Sequence, residues 1–152
     1  KTKSSKTGII VKGIDNCLVR ISKCCNPVPG DEIIGYITRG RGVTVHRKNC
    51  TNVKDLLQDD GRIIDVYWDE QKASAYNVDI TILANDREGL LSDVIKVIGN
   101  TNTKLVGVSA KASKEKIAMV ELTIEVKDIN GLVKAQRELG KIDSVYDVKR
   151  NK

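Results

Sequence analysis

Apolar and polar positions alternate in short runs through the first half of the chain, broken by glycine, proline and asparagine. Ile9-Ile10-Val11 and Cys17–Ser22 read as strands, since a period of two lines one face of a sheet. Pro27-Val28-Pro29-Gly30 reads as a turn, because proline fixes φ and glycine accepts positive φ. Glu32–Thr38 is the next strand, Arg39-Gly40-Arg41-Gly42 a hairpin-like loop, and Val43–His46 a short strand. Asn49, Thr51 or Asn52 is placed to cap a helix through Val53, Leu56 and Leu57, with Gly61 ending it. Arg62–Trp68 closes the run as one strand, with Ile64, Val66 and Trp68 on one parity. The pattern predicts a flexible lead-in over 1–7 and a small β-rich module with one helix over 8–68.

Residues 69–75 are polar and read as a linker to a second module over 76–150. Tyr76, Val78, Ile80 and Ile82 alternate as a half-buried strand. After an Asn85–Gly89 loop, Leu90, Leu91, Val94, Ile95, Val97 and Ile98 follow helical spacing. Leu105–Ala112 and Ile117–Val126 are two strands joined by a turn at Ser113–Lys116. Ile129, Leu132, Val133, Gln136 and Leu139 mark a second helix ended by Gly140, and Ile142–Lys149 is the last strand. The order βαββαβ is the split βαβ of ferredoxin-like sheets, so the fold class is α+β.

A length of 152 residues allows one ordinary domain or two small ones. The hydrophobic share, 40%, suffices for a globular core. No run of about 18 apolar residues exists, which excludes a membrane-spanning helix. The polar start Lys1-Thr2-Lys3-Ser4-Ser5-Lys6 carries no secretory segment, so the expected location is cytoplasmic. A first residue other than Met suggests a piece of a longer chain. The net charge of +6 is compatible with a nucleic-acid partner. No Phe and a single Trp argue against a stacking platform for single strands.

All four cysteines, Cys17, Cys24, Cys25 and Cys50, fall in the first third of the chain. Without a secretion signal, metal binding or burial is favoured over disulfides. Cys24 and/or Cys25, with His46 and Cys50, have a spacing that structural zinc sites use. Adjacent side chains of an extended strand point apart, so Cys24 and Cys25 can share an ion only if the Pro27 turn bends the backbone. The same residues can also be buried thiols beside a surface histidine. A catalytic Cys–His pair is a third reading, without an accompanying acid or oxyanion device. Cys17 shares a strand face with Val19 and Ile21 and reads as a core residue.

Arg39, Arg41, Arg47 and Lys48 cluster on or beside the Gly40/Gly42 hairpin. They read either as an RNA-backbone contact or as a solvated turn. Asn85-Asp86-Arg87-Glu88-Gly89 leads into a helix whose free N–H groups suit a carboxylate; a plain capped loop has the same pattern.

The run Cys24-Cys25-Asn26-Pro27-Val28-Pro29-Gly30-Asp31-Glu32-Ile33-Ile34-Gly35-Tyr36, continued by Thr38 to Arg47, resembles a conserved-cysteine module. That module, also called a zinc-finger or ribosome-intersubunit domain, lies near the C-terminus of bacterial stringent-response enzymes of the Rel/Spo family. Those enzymes make and hydrolyse guanosine tetra- and pentaphosphate. The second half, with Asp86-Arg87-Glu88-Gly89-Leu90-Leu91, resembles the ACT domain that ends them. Cys24, Cys25, His46 and Cys50 match the family's cysteine and histidine positions; Asn49 replaces an expected acidic residue, and Cys17 matches none.

The resemblance implies a non-catalytic regulatory fragment of a GTP pyrophosphokinase and (p)ppGpp pyrophosphohydrolase. Its first domain would contact ribosomal RNA, with tRNA as a further partner, and hold zinc. Its ACT domain would bind a branched-chain amino acid, valine or isoleucine, at Asn85, Arg87, Gly89, Leu90 and Leu91, facing Val106 within Lys104–Val108. It would signal to the parent's catalytic domains, and such domains commonly pair as dimers. The rivals are an ACT-type regulator of a biosynthetic enzyme and a free-standing zinc-dependent RNA-binding module.

Overall fold

The computed structural model describes residues 7–13, 17–40, 42–58, 60–71 and 74–151. The lead-in at 1–6 and Arg41 lie outside the described residues. The chain divides into two units, Lys1–Ser74 and Ala75–Asn151. In the first, the strands are β1 (Ile9–Val11), β2 (Val19–Ile21), β3 (Ile33–Thr38), β4 (Gly42–Arg47), β5 (Ile63–Ile64) and β6 (Val66–Trp68). One helical turn, α1 (Val53–Leu56), and a 3-10 turn at Asp60–Arg62 precede β5.

Four strands form a sheet in the order β2-β4-β3-β5, with β2 and β4 parallel and the other pairs antiparallel. Gly42 permits the hairpin because its φ is +82° and a Cβ there would overlap the Leu18 carbonyl. That carbonyl accepts from the Val43 amide at 2.8 Å. Alternation along the strands sends Val19, Ile33, Val43 and Val45 to one face, where they pack with Ile9, Val11 and Val66. Cys17 packs against this core.

The single strand expected over 62–68 is two strands parted at Asp65. β5 pairs with β3, while β6 pairs with β1 as a separate two-stranded ribbon. A three-residue ribbon and a sheet edge need differently aimed hydrogen bonds, so the chain bends between them. The parity survives the bend: Ile64, Val66 and Trp68 all contribute to the core. α1 is also shorter than predicted, with Leu57 already its C-cap and no side-chain bond from Asn52 at its start. Gly61 lies in the 3-10 turn, beyond the helix end.

The second unit comprises β7 (Tyr76–Asn85), α2 (Leu90–Asn100), β8 (Lys104–Ala112), β9 (Ile117–Val126), α3 (Ile129–Gly140) and β10 (Val145–Arg150). Its sheet runs β10-β7-β9-β8, antiparallel throughout, which is the ferredoxin-like order. Val78, Ile80 and Ile82 with Val120, Leu122 and Ile124 form the buried face. Leu90, Val94 and Ile98 of α2 and Leu132, Ala135 and Leu139 of α3 are the buried helical positions that cover it. Asp128 caps α3, accepting from the Gly131 amide at 3.2 Å. The last strand begins at Val145; Ile142 instead accepts from the Val145 amide in the preceding turn. No helix among the described residues is long and apolar enough to cross a membrane.

Candidate metal centre and ligand hollow

The Cys24, Cys25, His46 and Cys50 donor atoms all lie within 4.8 Å of one another. Three local features assemble them. The Asn26 amide donates to the Ser22 carbonyl at 2.9 Å, closing a turn around Cys24 and Cys25, and Asn26 has φ of +42°. The bend that converges two adjacent thiols therefore precedes Pro27. β4 delivers His46 on the face opposite Val45, and a turn after Arg47 returns Cys50, whose amide donates to the Arg47 carbonyl at 3.0 Å. Val53 of α1 and Ile34 pack on Cys25 and Cys50, so the knuckle carries its own small core.

Cys24 Sγ lies 3.4 Å from His46 Nδ1, 3.5 Å from Cys50 Sγ and 4.0 Å from Cys25 Sγ. Cys25 Sγ is 3.8 Å from the same Nδ1. Burial pushes the His46 imidazole below its usual range, favouring the neutral ring that can ligate a metal. Burial pushes the Cys25 thiol up to about 12. Burial also raises Cys24, but hydrogen bonds from Ser22, Asn52, Cys50 and Cys25 outweigh it and the net shift is downward. Three sulfurs and one imidazole in this arrangement can hold a metal ion. His46 is buried, not the surface residue of the alternative reading.

The basic cluster expected at the hairpin is dispersed by the strand register. Arg39 is exposed beside Gly40, and Arg41 lies outside the described residues. Arg47 and Lys48 stand at the far end of β4, where Arg47 pairs with Ile33. Arg47 is buried, its Nε donating to the Cys25 carbonyl at 2.9 Å and its amide to Cys25 Sγ at 3.3 Å. It supports the cysteine knuckle and is not available as an RNA contact. Lys48 is exposed and lies 3.8 Å from Glu32.

In the second unit, a hollow of about 270 Å³ opens between the start of α2, the end of β8 and the start of β9. Of the expected ligand residues, Arg87, Gly89, Leu90 and Leu91 line it; Asn85 and Val106 do not. The opposite wall is Ala110, Lys111 and Ala112, not the Lys104–Val108 segment, with Ala118 and Val120 from β9. The antiparallel register explains this: the chain turns back at 113–116, so the C-terminal part of β8 lies opposite Ala118 and Val120. Those small residues carried no sequence signal beyond ordinary strand alternation. The Arg87 guanidinium donates to Asp93 Oδ2 at 2.7 Å, to the Asp143 carbonyl at 3.0 and 3.1 Å and to the Glu88 carbonyl at 3.2 Å. It braces the loop against the α3–β10 turn. At the helix start, Leu90 N–H donates to the Arg87 carbonyl and Asp93 N–H to the Gly89 carbonyl. That leaves the Leu91 and Ser92 N–H groups without helical partners.

Two family models match the chain: "RelA/SpoT RIS domain" over residues 9–69 and "ACT domain" over residues 72–150. The GTP pyrophosphokinase of Haemophilus influenzae is 38% identical over 152 residues, covering 99% of this chain and 20% of that protein. The bifunctional (p)ppGpp synthase/hydrolase RelA of Mycobacterium tuberculosis is 38% identical over 143 residues, covering 94% of this chain and 19% of that protein. The chain thus spans about a fifth of the length of the curated relatives it matches. Among solved structures, the ACT domain from the GTP pyrophosphokinase of Chlorobium tepidum is similar at 25% identity. It covers 51% of this chain and 99% of that chain, with a TM-score of 0.46.

Proposed function

The chain belongs to the RelA/SpoT family, carrying its RIS domain followed by its ACT domain, and from that premise we propose that it is the non-catalytic C-terminal regulatory region of a cytoplasmic (p)ppGpp synthetase and hydrolase. The first unit docks on ribosomal RNA and reports ribosome state to catalytic domains elsewhere in the parent chain. The observation that supports this most is the cluster of half-buried Cys24 with buried Cys25, His46 and Cys50, built by the motif that also presents Arg39.

Zinc is the ion proposed for that cluster. Tetrahedral Zn with bonds of about 2.3 Å to sulfur and about 2.0 Å to nitrogen requires edges of about 3.8 Å between sulfurs and about 3.5 Å from sulfur to nitrogen. Four of the six separations, 3.4 to 4.0 Å, fall around those edges, and all six lie within 4.8 Å. The ion would be structural, with all four positions filled by protein. It would tie β2, β4 and α1 together and add its binding energy to folding.

The second unit takes a small apolar amino acid, valine or isoleucine. The Leu91 and Ser92 N–H groups receive the carboxylate, while Leu91, Ala110, Ala112 and Val120 surround the side chain. β8 is an edge strand with Val106 and Val108 exposed, which suits pairing with a second copy. The deciding experiment is co-sedimentation of the chain with bacterial ribosomes, comparing wild type with Arg39→Ala. Binding weakened by the substitution supports ribosome docking through the hairpin; binding equal to that of an unrelated ACT domain overturns it.

A further inference from the structure

One row of side chains crosses all four strands of the first unit's larger sheet. Thr44 on β4 is the register partner of both Arg20 on β2 and Tyr36 on β3, and Tyr36 is in turn the partner of Ile63 on β5. Val19, Val43 and Val45 point into the core, so alternation sends Arg20, Thr44 and Tyr36 to the other face. Two positions along β4 on that same face is His46 of the cysteine cluster, and two positions the other way is Gly42 at the hairpin. The row therefore fills the interval between the metal centre and the hairpin that presents Arg39.

Its chemistry is cationic and hydroxylic. Arg20 is exposed and makes no ion pair among the described residues. The Arg62 guanidinium carbon lies 6.0 Å from the centre of the Tyr36 ring, a cation–π contact. Thr44 and Tyr36 are half-buried and supply hydroxyls; the row itself contains no carboxylate. Asp31, Glu32, Asp65 and Glu70, together with Lys48, line a hollow beside β5 and β6 that also takes in Ile63 at the end of the row. The row's cations are thus Arg20 at its β2 end and Arg62 over Tyr36, while the acids gather past Ile63 at its β5 end.

We propose that the Arg20–Thr44–Tyr36 row is a docking face for the shallow minor groove of an RNA duplex. Guanidinium groups bind phosphate bidentately. The minor groove of A-form RNA is wide, shallow and rimmed by 2′-hydroxyls, which threonine and tyrosine hydroxyls can meet. A single tyrosine, already in contact with Arg62, is poor equipment for single-stranded bases, which want several free aromatic platforms. This assignment rests on the RNA-docking reading of the first unit and names which surface and which form of RNA it uses.

The test is fluorescence anisotropy of the whole chain with a labelled RNA hairpin, and with a DNA hairpin of the same sequence, across a potassium chloride series. Arg20→Ala should weaken RNA binding about fivefold and lower the log–log salt slope by about one. Tyr36→Ala should also weaken it, with Tyr36→Phe intermediate, while Lys134→Ala on α3 controls for loss of one exposed charge. If Arg20→Ala matches Lys134→Ala while Arg39→Ala weakens binding, the row is refuted and the hairpin contact stands. If both arginine variants match the control, the RNA reading itself falls. Equal binding of RNA and DNA hairpins overturns the minor-groove assignment. Loss of ribosome co-sedimentation in Arg20→Ala with RNA binding intact overturns it in favour of a protein partner.

Discussion

Arg47 Nε donates to the carbonyl oxygen of Cys25 across 2.9 Å, joining β4 to the turn that presents two of the four clustered cysteine and histidine side chains. Removing the guanidinium leaves that carbonyl short of a donor in a buried setting. Arg47→Ala should destabilise the chain by about 1–3 kcal/mol in urea unfolding. Arg47→Lys should recover little of it, because an ammonium lacks the planar donor fork. Arg39→Ala, on the exposed hairpin, should stay within about 0.5 kcal/mol of wild type. Identical midpoints for the two alanine variants would remove the structural role given to Arg47.

Metal analysis of gently purified protein should find one zinc per chain. Cobalt substitution should give the absorption of a thiolate-rich tetrahedral site. Cys25→Ser and His46→Ala should each lose the ion, and chelation should lower the melting temperature of wild type toward theirs. A chain that is metal-free, cooperatively folded and indifferent to chelator would leave the four residues as packing groups.

The metal-stripped chain should show a pH optimum on the alkaline side. His46 is depressed below its ordinary value of 6.5 by burial, so below that pH the unfolded chain gains a proton the folded chain refuses. Stability is therefore lost as pH falls through that range. Cys24, also depressed, acts in the same sense as pH falls from 9.0. Cys25 is pushed up to about 12, so above 9.0 the unfolded thiol ionises first and stability declines again. Thermal unfolding as a function of pH tests this: the midpoint should climb toward pH 9.0 and fall beyond it. In His46→Gln the acid-side loss should shrink; an unchanged acid limb would assign it to other groups.

Calorimetric titration with valine and isoleucine, against glycine and lysine, should give saturable heat for the branched ligands alone. Ala118→Leu, which fills the floor of the hollow, should abolish that heat with the fold retained by circular dichroism. Arg87→Ala should weaken binding about tenfold through loss of the loop's bracing, though the guanidinium is already committed to Asp93 and Asp143. Binding unaffected by Ala118→Leu would place the ligand elsewhere.

Much of this protein was legible in its residues alone. The period of two along Tyr76–Ile82 and the helical spacing from Leu90 to Ile98 require a sheet face and a helix to cover it, because one face must leave water. That logic is local, and it carried the βαββαβ order. The motif from Cys24 to Cys50 also named the four side chains whose donor atoms the fold brings within 4.8 Å of one another. What depended on distant strands lay beyond it. Whether two adjacent thiols converge was decided by the Ser22–Asn26 turn, and whether Arg47 faces water was decided by a carbonyl 22 positions away. The bend at Asp65 arose because β5 and β6 serve different partners. The residues facing the start of α2 across the hollow are Ala110 and Ala112, not Val106, because an antiparallel return sets neighbours from the turn outward. Periodicity says which face a side chain occupies; only the register between strands says what stands across from it.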